Sequence, residues 1–271
     1  MTIRTIVFLL LTTCLFAHDL YLMPAKFQVT PGEKIVVSVH NGDSFPDSDG
    51  TTDPRRLLDA RLSDGTPIDT FQALGKATHG LTEIRKKGSI WASVHTIPKF
   101  IELEPAKFET YLKDEGLTNA LDYRKQNGEA DKPGRELYSK YAKALITSGA
   151  PDTAFSQVLG LTIEFVPQVN PASVKSGESI PIQVLFRGKP AADVQVIKSW
   201  STQGKKSDPV VAGRTDKDGR ISVPVETAGK WRFHTLVMER YEKQTEAQWE
   251  SFWASMTFEV GNSQTTSQRL E

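Results

Sequence analysis

Five histidines are the side chains of this 271-residue chain best suited to chemistry: His18, His40, His79, His95 and His234. The only cysteine is Cys14, so from residue 15 onward a metal site must be built from imidazole, carboxylate, thioether, backbone groups or a terminal amine. His18 stands apart because it directly follows Ala17 at the end of an apolar stretch. If the chain is cut after Ala17, His18 carries a free α-amine as well as its imidazole, and the two can chelate one metal ion. An α-amine with a pKa of about 7.7 to 8.0 gives up its proton near neutral pH when a metal competes for it. A second imidazole completes a three-nitrogen site suited to copper, nickel or cobalt.

His40 and His234 are the leading candidates for that second ligand. His40 ends an alternating segment and leads into "NGDSFPDSDGTTD", a turn-rich loop of the kind that carries binding groups. His234 falls on a strand face opposite Trp231 and Phe233, with Met238 on its own side. His95, after Trp91 and Val94, is held as a reserve ligand; His79, in "GKATHGL", reads as an exposed turn residue. Asp19 is the neighbour best placed to ligate directly or to orient His18. The acidic run Asp43, Asp47, Asp49, Asp53 lacks the spacing of a helix-loop-helix calcium loop and reads as a solvated loop.

The segments that must position these residues begin with a leader. Arg4 precedes Ile6, Val7, Phe8, Leu9, Leu10 and Leu11, and Ala17 closes the run, which is the layout of a signal peptide over 1–17. The apolar part is far shorter than the roughly 20 residues of a membrane-spanning helix. A lipidated Cys14 is the weaker alternative, because Thr13 stands where a lipobox wants Gly, Ala or Ser. The expected location is the periplasm, with no membrane span in the mature chain.

From 20 to 103 short alternating runs are separated by turn chemistry: Lys26 to Val29, Lys34 to His40, Leu57 to Leu62, Leu81 to Arg85 and Ile90 to His95. Phe108, Tyr111 and Leu112 then repeat at helical spacing after Glu104-Pro105, with Gly116 as the stop. "RELYSKYAKALITSG" reads as a second helix on Leu137, Tyr141, Ala144 and Leu145. These give a helical insertion over 104–150 in an N-terminal β domain, 18–166. A Pro-containing hinge near 166–172 leads to a second unit, 172–260, with strands at Ser179 to Phe186, Val194 to Ser199, Val210 to Thr215, Arg220 to Val225, Lys230 to Met238 and Trp253 to Val260. Residues 261–271 read as a disordered tail. The fold class is therefore mainly β: two β-sandwich domains, immunoglobulin-like or transthyretin-like, the first carrying a helical insertion.

Lys plus Arg and Asp plus Glu are 33 each, for a formal net charge of +0, and no basic patch points to nucleic acid. No G-x-S-x-G elbow, H-E-x-x-H or P-loop is present, so an enzyme is not expected. Trp249 and Trp253, four residues apart, read as packed aromatics rather than a carbohydrate platform.

Several segments carry a wider resemblance: "AHDLYLMP", "HNGDSFP", "IPKFIELEPAKFETYLKDEGL", "PGRELYSKYAKAL", "VLFRGKPAADVQV", "RTDKDGRI" and "WESFWASMTFEV". In order from about 18 to 260, they resemble a family of exported bacterial proteins whose domain has no assigned function. The family is commonly described as a nickel-uptake (NikM-like) or periplasmic cobalt-transport component. The resemblance implies a periplasmic nickel- or cobalt-binding protein working with a membrane metal transporter. A copper carrier suits a terminal histidine equally well, and a structural or adhesion protein without metal is the other binding-class alternative. A copper-dependent oxidative enzyme would need an exposed binding face around His18, for which the sequence offers no sign.

Overall fold

The computed structural model describes residues 18–261. The expected leader, Cys14 within it, and the tail from 262 lie outside the described residues. The fold is mainly β, as expected: the described residues form three sheets and two short α-helices.

The largest sheet has ten strands and forms the middle layer. Its main path runs Lys205–Lys206, Gln195–Thr202, Gly229–Arg240, Trp249–Val260, Gly134–Ser148, Gly88–Thr96, Leu57–Leu62. Period-2 alternation gives this sheet two apolar faces. Ile90, Ala92, Val94, Ala142, Ala144 and Ile146 pack on Leu20, Leu22, Ile35, Val37 and Val39, which belong to a four-stranded antiparallel sheet ordered Leu20–Pro24, Lys34–Asn41, Ala77–Glu83, Asp69–Leu74. The residues of opposite parity, Trp91, Leu145, Trp231, Phe233, Met256 and Phe258, pack on Phe165, Ile180, Ile182, Val184 and Val223 of another four-stranded sheet built around Ser179–Phe186. The two expected sandwiches are present, but they share their middle sheet. Trp249–Thr257 pairs in parallel with Glu136–Ala144, so that sheet runs across the division expected at 166–172.

The segment 135–149 is not a helix. Gly134–Ser148 is a 15-residue strand with the 249–260 and 88–96 strands on either side. A strand covered on both faces carries apolar residues at both parities, and such a run mimics helical spacing. Its two buried lysines mark the faces. Lys143 pairs with Glu164 at 3.0 Å and lies 4.5 Å from the Trp91 ring centre on one side, while Lys140 donates to the His18 carbonyl on the other.

The expected first helix is present as α1, Pro105–Asp114, with Phe108, Tyr111 and Leu112 buried as its period implies. It continues through Gly116, in left-handed conformation at φ +67°, into α2, Thr118–Gln126. The helices cover the end of the middle sheet beyond the 20–24 strand, where Tyr111 stacks on Trp253 at 5.7 Å and Tyr123 meets Trp249 edge-on. The two tryptophans are packed aromatics on a strand. The packing is tight at Gly134, where a Cβ would fall 2.1 Å from the Phe108 ring. Gly134→Ala should therefore cost about 1–3 kcal/mol by overpacking, read as a lower urea midpoint with an unchanged slope; an unchanged midpoint would show that Phe108 can yield.

Candidate functional site

The site grows from the start of the 20–24 strand. Leu20 pairs with Asn41, and the Gly42 N–H donates to the Asp19 carbonyl at 2.9 Å. That pairing places His18 opposite Asp43. The His18 Nδ1 lies 3.0 Å from Asp43 Oδ2 and 3.7 Å from Asp49 Oδ2. The loop is drawn tight because the Asp43 N–H donates to Asp49 Oδ2 at 3.2 Å and the Asp49 N–H to the Asn41 carbonyl at 2.9 Å. Gly42 permits this closure, since a Cβ there would meet Asp49 Oδ2 at 2.7 Å. Two carboxylates thus converge on one ring nitrogen of a partly exposed histidine.

Asp19 points inward, as alternation requires. Its carboxylate pairs with Arg232 Nη1 at 3.0 Å and His234 Nδ1 at 2.9 Å, and His234 Nε2 binds Glu115 Oε2 at 2.8 Å. The Nδ1 contact is close but poorly aligned for a hydrogen bond, whereas the Nε2 contact is well formed. Burial alone would raise the Asp19 carboxyl, but Arg232 and His234 outweigh it and hold it well below the usual carboxylate range. Burial alone would lower His234; Asp19 and Glu115 reverse this and lift it to about 10. His234 is therefore an imidazolium at neutral pH, and its ring signals in an NMR titration should stay flat from pH 5 to 8. A midpoint near the ordinary histidine value, about 6.5, would contradict the pairing.

The polar seam continues under Trp253. Burial pushes Glu136 up to about 7, against hydrogen bonds donated by Ser251 and Tyr111. Burial also lowers Lys140 to about 8, against the pull of Asp19. Residues 18 and 19 separate two clefts. Asp19 and Asp43, with Tyr111, Glu115, His234 and Trp253, line one of about 380 Å³; His18 and Lys140, with Arg56, Lys99 and Tyr138, line the other of about 520 Å³.

Of the sequence candidates, the structure brings His18, Asp19 and His234 into this one region. His40 lies elsewhere: its Nδ1 contacts the Pro46 carbonyl at 3.0 Å and its ring sits 5.3 Å from Tyr21. His95 stacks on Tyr141 at 5.5 Å, with its Nδ1 buried and unpartnered. Burial lowers the basicity of both. His79 is tied to Ser38 at 2.8 Å. Among the described residues no three His, Cys, Asp or Glu side chains already form a metal-holding group. The acids of 43–53 are exposed, as a solvated loop implies: Asp47 pairs with Lys206 and Asp53 with Arg55, while Asp43 and Asp49 also approach His18. Those two, with Glu115 and Arg232, are the site residues the sequence reading missed. The signal for Asp43 lay in hairpin register, counted back from Leu20 and forward from Asn41; nothing local marked Glu115 or Arg232.

No described helix is long and apolar enough to cross a membrane. Among solved structures, the chain is similar to the Escherichia coli adhesin FdeC at 15% identity over 91% of this chain and 65% of that one, with a TM-score of 0.26. It is similar to the Yersinia pseudotuberculosis adhesin InvE at 11% identity over 89% and 60%, TM-score 0.23, and to murine CEACAM1b at 8% identity over 90% and 100%, TM-score 0.20. The chain spans less than two thirds of either adhesin chain, and at these scores the likenesses say nothing about function. No curated protein matches it in sequence. The match that does carry weight covers residues 15–239, and by it the chain belongs to the family described as Domain of unknown function (DUF4198).

Proposed function

We propose that this is an exported, periplasmic divalent-metal-binding protein of nickel or cobalt uptake, not an enzyme, that loads its ion at His18 and passes it to a membrane transporter. Cleavage after Ala17 supplies the α-amine. The ligand set is that amine and Nδ1 of His18, with the carboxylates of Asp43 and Asp49. One observation carries the reading: both carboxylates approach the same ring nitrogen, at 3.0 and 3.7 Å, and that nitrogen is the one able to close a chelate ring with the amine. Asp19 anchors the segment rather than ligating, because its carboxylate is committed to Arg232 and His234. His234, His40 and His95 are not needed as ligands. A mixed nitrogen–oxygen set suits nickel and copper(II) alike, and copper binds more tightly by intrinsic affinity, so a copper carrier is the competing reading on the same residues.

The test is titration of nickel, cobalt and copper into protein beginning at His18, beside the double variant Asp43→Asn, Asp49→Asn. Affinity for the wild type should rise about tenfold per pH unit below the amine pKa, because one proton leaves on binding. The double variant should bind at least about tenfold more weakly while unfolding at the same temperature, since both carboxylates are half exposed. Equal affinity in the two proteins would remove the carboxylates from the site.

A further inference from the structure

The cleft of about 380 Å³ on the inner side of Asp19 falls in the size range of small-molecule pockets, and the metal reading leaves it without a role. We infer that it binds a small organic cation with an apolar body, an alkyl- or arylammonium ion. Two features define that ligand.

The first is the apolar wall. Ile197, Pro209 and Val211 line one side and Tyr111 and Trp253 the other. Val211 is 54% exposed and the adjacent Val210 40%, on the short strand Val210–Arg214 at the margin of the middle sheet. The mouth of the cleft therefore presents uncovered apolar surface beside a concave wall, an arrangement that marks binding surfaces.

The second is the charge balance. Asp19, Arg232, His234 and Glu115 cancel one another within their buried network. Two further carboxylates line the cleft, Asp43 and Asp114. Asp114 has no ion-pair partner among the described residues, and its neighbour Lys113 is taken by Glu109 at 2.6 Å. Asp43 meets the His18 ring and accepts a hydrogen bond from the Asp19 N–H at 3.4 Å, with no lysine or arginine paired to it among the described residues. A low-dielectric concavity lined by a surplus of one sign concentrates the opposite charge. An ammonium group placed between these carboxylates leaves its hydrocarbon part against Val211, Ile197 and Trp253. An anion meets repulsion there, and a neutral analogue gains only the apolar contact.

This site goes beyond the metal reading and shares only Asp43 with it. A metal ion held at His18 and Asp43 neutralises one of the two carboxylates, so metal and ammonium oppose each other's binding by the same factor.

The experiment is calorimetric titration of chelator-treated protein with phenethylammonium, 2-phenylethanol and 3-phenylpropanoate. The ammonium should bind with one-to-one stoichiometry at least tenfold more tightly than the alcohol, and the carboxylate should not bind. Asp114→Asn, at an exposed position, should reduce the ammonium to the level of the alcohol, and Val211→Arg should block the mouth and abolish binding; circular dichroism confirms that both are folded. His18→Ala should lose metal but keep the ammonium, which separates failure of this site from failure of the metal site. Equal binding of the three probes, no binding of the ammonium to folded wild-type protein, or an unchanged affinity in Asp114→Asn would overturn the proposal.

Discussion

Asp19→Ala is expected to destabilise the protein by about 3–5 kcal/mol, the cost of removing one partner from a buried ion pair. Arg232 is 1% exposed, and apart from Asp19 it meets, among the described residues, the Gly42 carbonyl and Ser199 hydroxyl, each at 3.3 Å, and the rings of Tyr21 and Phe45. Without Asp19 its charge is buried against neutral groups, and His234 keeps a single carboxylate.

The same change should flatten the pH profile at both ends. A carboxyl held below its unfolded value contributes stability above about pH 3.9, which is lost on acidification through the folded value. An imidazole raised to about 10 contributes fully below about pH 6.5, and that contribution declines as pH rises toward 10. Wild-type stability from this network should therefore be greatest between about pH 4 and 6.5 and fall on either side. Urea unfolding of both proteins from about pH 3 to about pH 10 is the measurement. A loss below about 1 kcal/mol in Asp19→Ala would mean that Arg232 and His234 find water or other partners.

The second large effect concerns the bond before His18. One extra residue left ahead of His18 turns the α-amine into an amide, which keeps the imidazole but removes the chelate. Loss of a mere outer partner costs roughly 10–100-fold in metal affinity, and loss of a direct ligand should exceed that. Protein with one added alanine should therefore bind nickel at least about 100-fold more weakly than protein beginning at His18, at unchanged stability. Equal affinity in the two forms would leave the amine without a role.

The sequence was most legible where local pattern and tertiary environment agree. Ser179–Phe186 begins and ends where turn chemistry and alternation place it, because it has one buried and one freer face. The helix at 105–114 was readable from Pro105, its apolar stripe and Gly116. The strand at 134–148 was not, because only the ten-stranded sheet decides that both its faces are covered, and Lys140 and Lys143 are buried through partners far away in sequence. The same division holds at the site. His18 was conspicuous from its place after the expected leader, and the pairing of Leu20 with Asn41 then carries Asp43 to it. Glu115 reaches His234 across 119 positions of chain, a contact made by docking α1 on the middle sheet. A histidine with no local acid thus gave no sequence sign that it was already committed to two carboxylates.

The central claim is that His18, as a first residue, makes a stoichiometric metal site. The most direct measurement takes exported protein whose mass proves that it begins at His18, removes metal, and titrates nickel at pH 8. The account predicts one ion bound per chain, with release of roughly half a proton, the share of the α-amine still protonated at that pH. Protein of that mass that binds no nickel, cobalt or copper in stoichiometric amount would contradict it.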